Sequence, residues 1–212
     1  MRSVRFGNTG LQVSNLCLGT MIFGSQCDRA QSFAIMDAAS EGGINFLDAA
    51  DIYPAGSSGS AIGLTESIIG EWLKGKRHQF IVATKCAGRT GPNGWDRGMS
   101  RKHILDAVDD SLRRLGTDYV DLYQLHGYDL HTTIDEALGA LDRVVRSGKA
   151  RYIGVSNWPA YKVARAIGRS ELKNLTRIES VQPRYNLLFR AAERDLFSLI
   201  EQIPRRQRRA EH

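Results

Sequence analysis

The 212-residue sequence holds 42% hydrophobic and 25% charged residues, the profile of a globular chain long enough for one sizeable core. Three cysteines, Cys17, Cys27 and Cys86, show no Cys-x-x-Cys spacing and suit neither a disulfide framework nor a zinc site. No apolar run reaches the roughly 18 residues of a membrane span and no export signal opens the chain, so a cytoplasmic protein without membrane contact is expected. The formal charge of +6 bunches in Arg205, Arg206, Arg208 and Arg209, and elsewhere Lys and Arg alternate with Asp and Glu on solvated helix faces, which speaks against a nucleic-acid-binding stripe.

In chain order, residues 4–6 and 11–13 flank Gly7-Asn8-Thr9-Gly10 and predict a hairpin able to plug one end of a barrel. From Leu16 onward short apolar segments alternate with longer segments of helical periodicity, the pattern of repeated β-α units and a parallel sheet. Strands are expected at 16–18, 45–48, 80–85, 120–126, 151–156 and 178–182. Asp28 with Gln31, and Thr133 with Glu136, have capping-box spacing, while Gly42, Gly116 and Gly148 stand where left-handed helix ends are wanted. In the helix over 100–115, Ile104, Leu105, Val108, Leu112 and Leu115 form one packing stripe.

Ionisable residues recur at or just past successive strand ends: Asp48 and Tyr53, then Lys85, then His126. Barrel enzymes place catalytic groups there. Taken singly, a strand-end Asp is a cap or turn residue, a Tyr is packing and a His is satisfied by its neighbours. Strand parity puts Phe46 on the face of Asp48, Ile81 and Ala83 on that of Lys85, and Leu122 and Gln124 on that of His126, so these polar groups are expected to converge on one pocket. Lys85 ends the apolar run Phe80-Ile81-Val82-Ala83-Thr84. A lysine so placed wants an anionic partner, and Asp48 is the candidate.

The stretches Leu18-Gly19-Thr20-Met21, Asn45-Phe46-Leu47-Asp48-Ala49-Ala50-Asp51-Ile52-Tyr53, Thr65-Glu66-Ser67-Ile68-Ile69-Gly70, Ala83-Thr84-Lys85, Leu125-His126 and Tyr152-Ile153-Gly154-Val155-Ser156-Asn157 resemble, in order, the signatures of the aldo-keto reductase family. The likeness runs from about Arg5 to about Ile200, and the Tyr53-Pro54 junction with its glycine-serine insertion is similar to the bacterial Tas-like branch. The resemblance implies a (β/α)₈ barrel that reduces the carbonyl group of a small-molecule aldehyde or ketone, with NADPH, or alternatively NADH, as cofactor. It implies catalytic roles for Asp48, Tyr53, Lys85 and His126. Tyrosine has an ordinary pKa of about 10, so a proton donor of this type needs a neighbouring cation, the role implied for Lys85, with Asp48 neutralising that lysine and His126 orienting the carbonyl. Ser156, Asn157 and Gln182 are implied to hold the nicotinamide carboxamide, and Gly19, Thr20, Met21 and Asp48 the ribose side. No Gly-x-Gly-x-x-Gly loop is present, as suits a cofactor laid over a barrel mouth rather than on a Rossmann sheet.

A (β/α)₈ barrel takes about 250 residues, and about six of its eight β-α units are accounted for here. The expected organisation is a partial barrel domain over 1–201 and a basic tail over 202–212, foreign to the fold, with neither strand alternation nor helical spacing. An open barrel of this kind is expected to expose strand edges, to associate or unfold, and to be weakly active at best. Two other readings stay open: a non-catalytic fragment or binding protein, and a Schiff-base aldolase suggested by the strand-end lysine.

Overall fold

The structure, a computed structural model, describes residues 1–203; most of the expected basic tail, from residue 204, lies outside the described residues. Strands β1 (Ser3–Arg5) and β2 (Gln12–Ser14) form the antiparallel hairpin. Just past β1, Phe6 packs edge-on against Phe46 and tilted against Tyr152, near the starts of two barrel strands. The hairpin therefore covers the N-terminal mouth of the barrel.

Six strands follow: β3 (Leu18–Gly19), β4 (Phe46–Asp48), β5 (Ile81–Cys86), β6 (Val120–Leu125), β7 (Ala150–Ser156) and β8 (Ile178–Gln182). They pair in chain order and all in parallel. Helices α1 (Arg29–Glu41), α2 (Leu64–Trp72), α3 (Arg101–Leu115), α4 (Ile134–Arg146) and α5 (Ala160–Leu172) link successive strands, and α6 (Leu196–Gln202) follows β8. The sheet curls far enough for Gln182 of β8 to donate to Asp48 of β4. This is an incomplete (β/α)₈ barrel, in which β3 and β8 are each paired along one edge only among the described residues.

The core lies between sheet and helices. Val82, Tyr123, Leu125, Ile153 and Val155 point outward from their strands and are fully buried against Ile69, Ile104, Val108, Leu141 and Val144; each such aliphatic side chain stabilises by roughly 1.5–3 kcal/mol. The alternation leaves Ala83, Lys85, Leu122, Gln124, Gly154 and Ser156 for the inner face. The α3 stripe is as expected, with Leu105 half-buried at its rim.

Asp28 and Gln31 form the full capping box of α1. Thr133 accepts from the Glu136 amide, but the Glu136 carboxylate turns away and accepts from the Arg101 amide at the start of α3. Gly42 keeps right-handed helical angles, and the left-handed position falls one residue later, on Gly43 with φ 81°. Gly116 and Gly148 are left-handed as expected.

Candidate active site

Lys85 is 1% exposed, and a buried ammonium is tolerated only when paired. Its Nζ donates to Asp48 Oδ2 at 2.6 Å and to the Ala49 carbonyl at 2.9 Å. Asp48 Oδ2 also accepts from Gln182 Nε2 at 3.0 Å, Gln182 Oε1 accepts from Gln124 Nε2 at 3.2 Å, and Gln124 Oε1 accepts from Ser180 Oγ at 3.3 Å. A continuous polar file thus crosses the barrel interior from β8 to β4. Gly154 makes room for it: a Cβ there would lie 3.0 Å from Gln124 Oε1 and 2.9 Å from Ser180 Cβ.

Tyr53 stands on the loop after β4, whose carbonyl at this residue accepts from the amides of Gly63 and Thr65 and so ties the loop to the start of α2. Its ring lies edge-on to His126 with centroids 5.6 Å apart, and Lys85 Nζ is 5.1 Å from the ring centre. His126 follows β6 directly and is anchored by its amide to the Cys86 carbonyl. Burial, reinforced by the nearby Lys85 charge and opposed by Asp48, pushes its imidazole down to about 4, so it is neutral near pH 7. Its Nδ1 is buried and unpartnered, an open hydrogen-bonding position at the centre of the group.

The remaining expected residues gather at the same C-terminal mouth. Ser156 Oγ donates to the Gln182 carbonyl at 2.9 Å, and Asn157, in the left-handed region at φ 58°, donates to Ser156 Oγ at 3.0 Å and accepts from the Arg184 amide at 2.9 Å. Gly19 and Met21 are exposed. Thr20 is fully buried, and its hydroxyl is committed to the Asp48 carbonyl at 2.8 Å. Gln124 and Ser180 joined the site without having been singled out. The signal for Gln124 was a lone amide on the inward parity of an apolar strand, two residues before His126.

A sequence model of the aldo/keto reductase family matches residues 15–204. The chain belongs to the aldo/keto reductase family. It is 41% identical to uncharacterized oxidoreductase YrpG of Bacillus subtilis, over 92% of this chain and 61% of the relative, and 38% identical to Protein tas of Escherichia coli, over 91% and 62%. Norsolorinic acid reductase of Aspergillus flavus is 34% identical over 92% of this chain and 52% of its own length. This aldo/keto reductase chain thus spans about three fifths of the length of the first two relatives. Among its described residues no helix is long and apolar enough to cross a membrane.

Proposed function

We propose that this chain carries the reaction centre of a nicotinamide-dependent carbonyl reductase, with NADPH, or alternatively NADH, as cofactor and a small aldehyde or ketone as substrate. The observation that carries the reading is the stacking of a buried Lys85–Asp48 pair under Tyr53, with neutral His126 against the tyrosine ring. The serine hydroxyl and two side-chain amides of Ser156, Asn157 and Gln182 offer both donors and acceptors, as a primary carboxamide requires. They would hold the nicotinamide, with Gly19, Met21, the Thr20 backbone and Asp48 toward the ribose. The nicotinamide, when bound, supplies the hydride.

Tyr53 then gives its phenolic proton to the carbonyl oxygen, and the Lys85 ammonium favours the phenolate left behind. Asp48 keeps Lys85 charged and in place. His126, unable to carry a charge of its own near pH 7, directs a ring nitrogen at the oxygen and stabilises the charge that develops there. The Schiff-base reading is disfavoured because Lys85, held as an ammonium by Asp48 and the Ala49 carbonyl, offers no lone pair to a carbonyl. The test is NADPH oxidation with 4-nitrobenzaldehyde alongside equilibrium binding of NADPH. Turnover that collapses in Tyr53→Phe while NADPH binding persists supports the proposal, and wild-type turnover in that variant overturns it. Failure of the wild-type chain to bind NADPH at all would favour the non-catalytic reading, and trapping of Lys85 by borohydride the aldolase.

A further inference from the structure

The space beside His126 does not end there. A pocket of about 280 Å³ bounded by Ile52 and His126 shares Ala87, Gly98, Tyr128 and Asp129 with a cleft of about 800 Å³ formed by the loops after β5 and β6. That volume lies within the roughly 300–1,000 Å³ of small-molecule sites.

The walls of this cleft are internally braced. Asp129 accepts from the Thr132 hydroxyl and from the amides of His131 and Met99, and Asp96 accepts from the Asn93 amide. Gly98 sits at φ 83° with space for no Cβ, which would fall 2.8 Å from Asp129 Oδ2. Arg89 donates to three carbonyls of its own loop. Asp129 is thus spent on the Thr132 hydroxyl and two backbone amides, Asp96 engages one amide through Oδ2, and Arg89 is partly spent. Two lining groups have no such employment among the described residues: Arg97, exposed and without a hydrogen bond or ion pair, and Trp95, 56% exposed and without a ring partner. A cation and a flat aromatic surface stand free in one cleft that adjoins the pocket at His126.

We propose that the substrate of this site is an aromatic aldehyde or ketone bearing a carboxylate, with its ring on Trp95, its carboxylate on Arg97 and its carbonyl at Tyr53 and His126. This rests on the carbonyl-reductase reading for the carbonyl end alone. The guanidinium of Arg97 matches a carboxylate with two parallel N–H donors, and the indole adds a stacking surface.

The experiment compares 4-carboxybenzaldehyde with 4-nitrobenzaldehyde in wild type, Arg97→Gln, Arg97→Lys and Trp95→Leu. The wild type should prefer the carboxylate in kcat/KM, and Arg97→Gln should erase about tenfold of that preference, as expected for a hydrogen bond between charged groups, mainly through KM. Arg97→Lys should restore part of it. A parallel measurement needs no turnover: benzoate, but not benzamide, should quench the fluorescence of Trp95, the other two tryptophans being buried, and Arg97→Gln should abolish the quench. Reduction of both aldehydes with no Arg97-dependent preference overturns this inference and leaves the reductase reading standing. If neither aldehyde is reduced the reductase reading fails, and the benzoate quench alone then upholds or, by its absence, overturns the carboxylate site.

Discussion

Two buried ion pairs lie on opposite faces of β5. Lys85 points inward to Asp48, while its neighbour Thr84 points outward and donates at 2.5 Å to Glu66 of α2, which Arg114 of α3 holds at 2.7 Å. Both pairs carry the desolvation cost of buried charge. The outer pair is saturated, since Arg114 also reaches Ser111 and both Glu66 oxygens are occupied. The inner pair is built beside unspent capacity: His126, whose Nδ1 is buried and unpartnered, lines a pocket at the barrel mouth and has the Tyr53 ring against it. Burial of charge therefore does not distinguish a reacting site from a structural one; unsatisfied polar capacity facing an opening does. Asp51 tests that rule from the other side. It is fully buried in the outer layer, neither carboxylate oxygen accepts a well-formed hydrogen bond, and no opening faces it. Burial first, then the negative charge of Glu66, push its carboxyl well above the usual range against the pull of Arg114, the Ile52 amide and Lys85. It is thus held as a neutral acid further up the pH scale than an ordinary aspartate.

If the outer pair is structural, Glu66→Ala should strand Arg114 and cost about 3–5 kcal/mol in urea unfolding, a large share of a domain's stability. A loss under 1 kcal/mol would show the pair to be dispensable. Tyr53→Phe should do the reverse, lowering kcat by ~10²–10⁴-fold with the unfolding midpoint nearly unmoved. Lys85→Met should fall between, slowing turnover, shifting its pH dependence, and destabilising the fold by leaving Asp48 with Gln182 as its remaining side-chain partner; an unchanged pH profile would uncouple Lys85 from Tyr53.

Two smaller effects concern pH. His126 has a folded value of about 4 against about 6.5 unfolded, so its contribution to stability is present above the unfolded value and is lost as pH falls from about 6.5 to about 4. His126→Gln should flatten thermal stability across that window, and an unaltered slope would place the acid sensitivity elsewhere. Asp51 has the opposite sign. With its folded value raised, stability is greatest below the unfolded value of about 3.9 and declines as pH rises toward the folded one. Asp51→Asn should match the wild type near pH 4 and be slightly more stable at pH 8; destabilisation at pH 8 would mean that the carboxylate is charged and needed.

Much of this was readable in advance because barrel strands are short apolar runs in which an inward polar residue is conspicuous: Asp48 and Lys85 follow from parity and His126 from its place at a strand end, whereas Gln182 came only through the family resemblance. Boundaries shifted where side chains bind backbone. The strand expected at 16–18 is Leu18–Gly19 because the Leu16 carbonyl accepts from Ser14 Oγ, and Asn45 falls outside β4, its side chain accepting from the Ser14 amide to tie hairpin to barrel. Asp51 was quoted within a motif, yet nothing local tells which layer a loop side chain enters; that depends on α2 and α3, placed there by tertiary packing. Likewise Glu136 had two amides within reach, and its spacing alone could not name Arg101 as the one it took.

The bond from Gln182 to Asp48 joins residues 134 positions apart, and this sets an order of events during synthesis. Each β-α unit can pair with the one before it as it leaves the ribosome, so Lys85 can meet Asp48 early. The second hydrogen bond to Asp48 waits for nearly the whole described chain to emerge. Loop-closure entropy must be met before so distant a contact is rewarded, so the lysine–aspartate pair is expected to form before the polar file around it. The polar file around Asp48 forms only once β8 has been made.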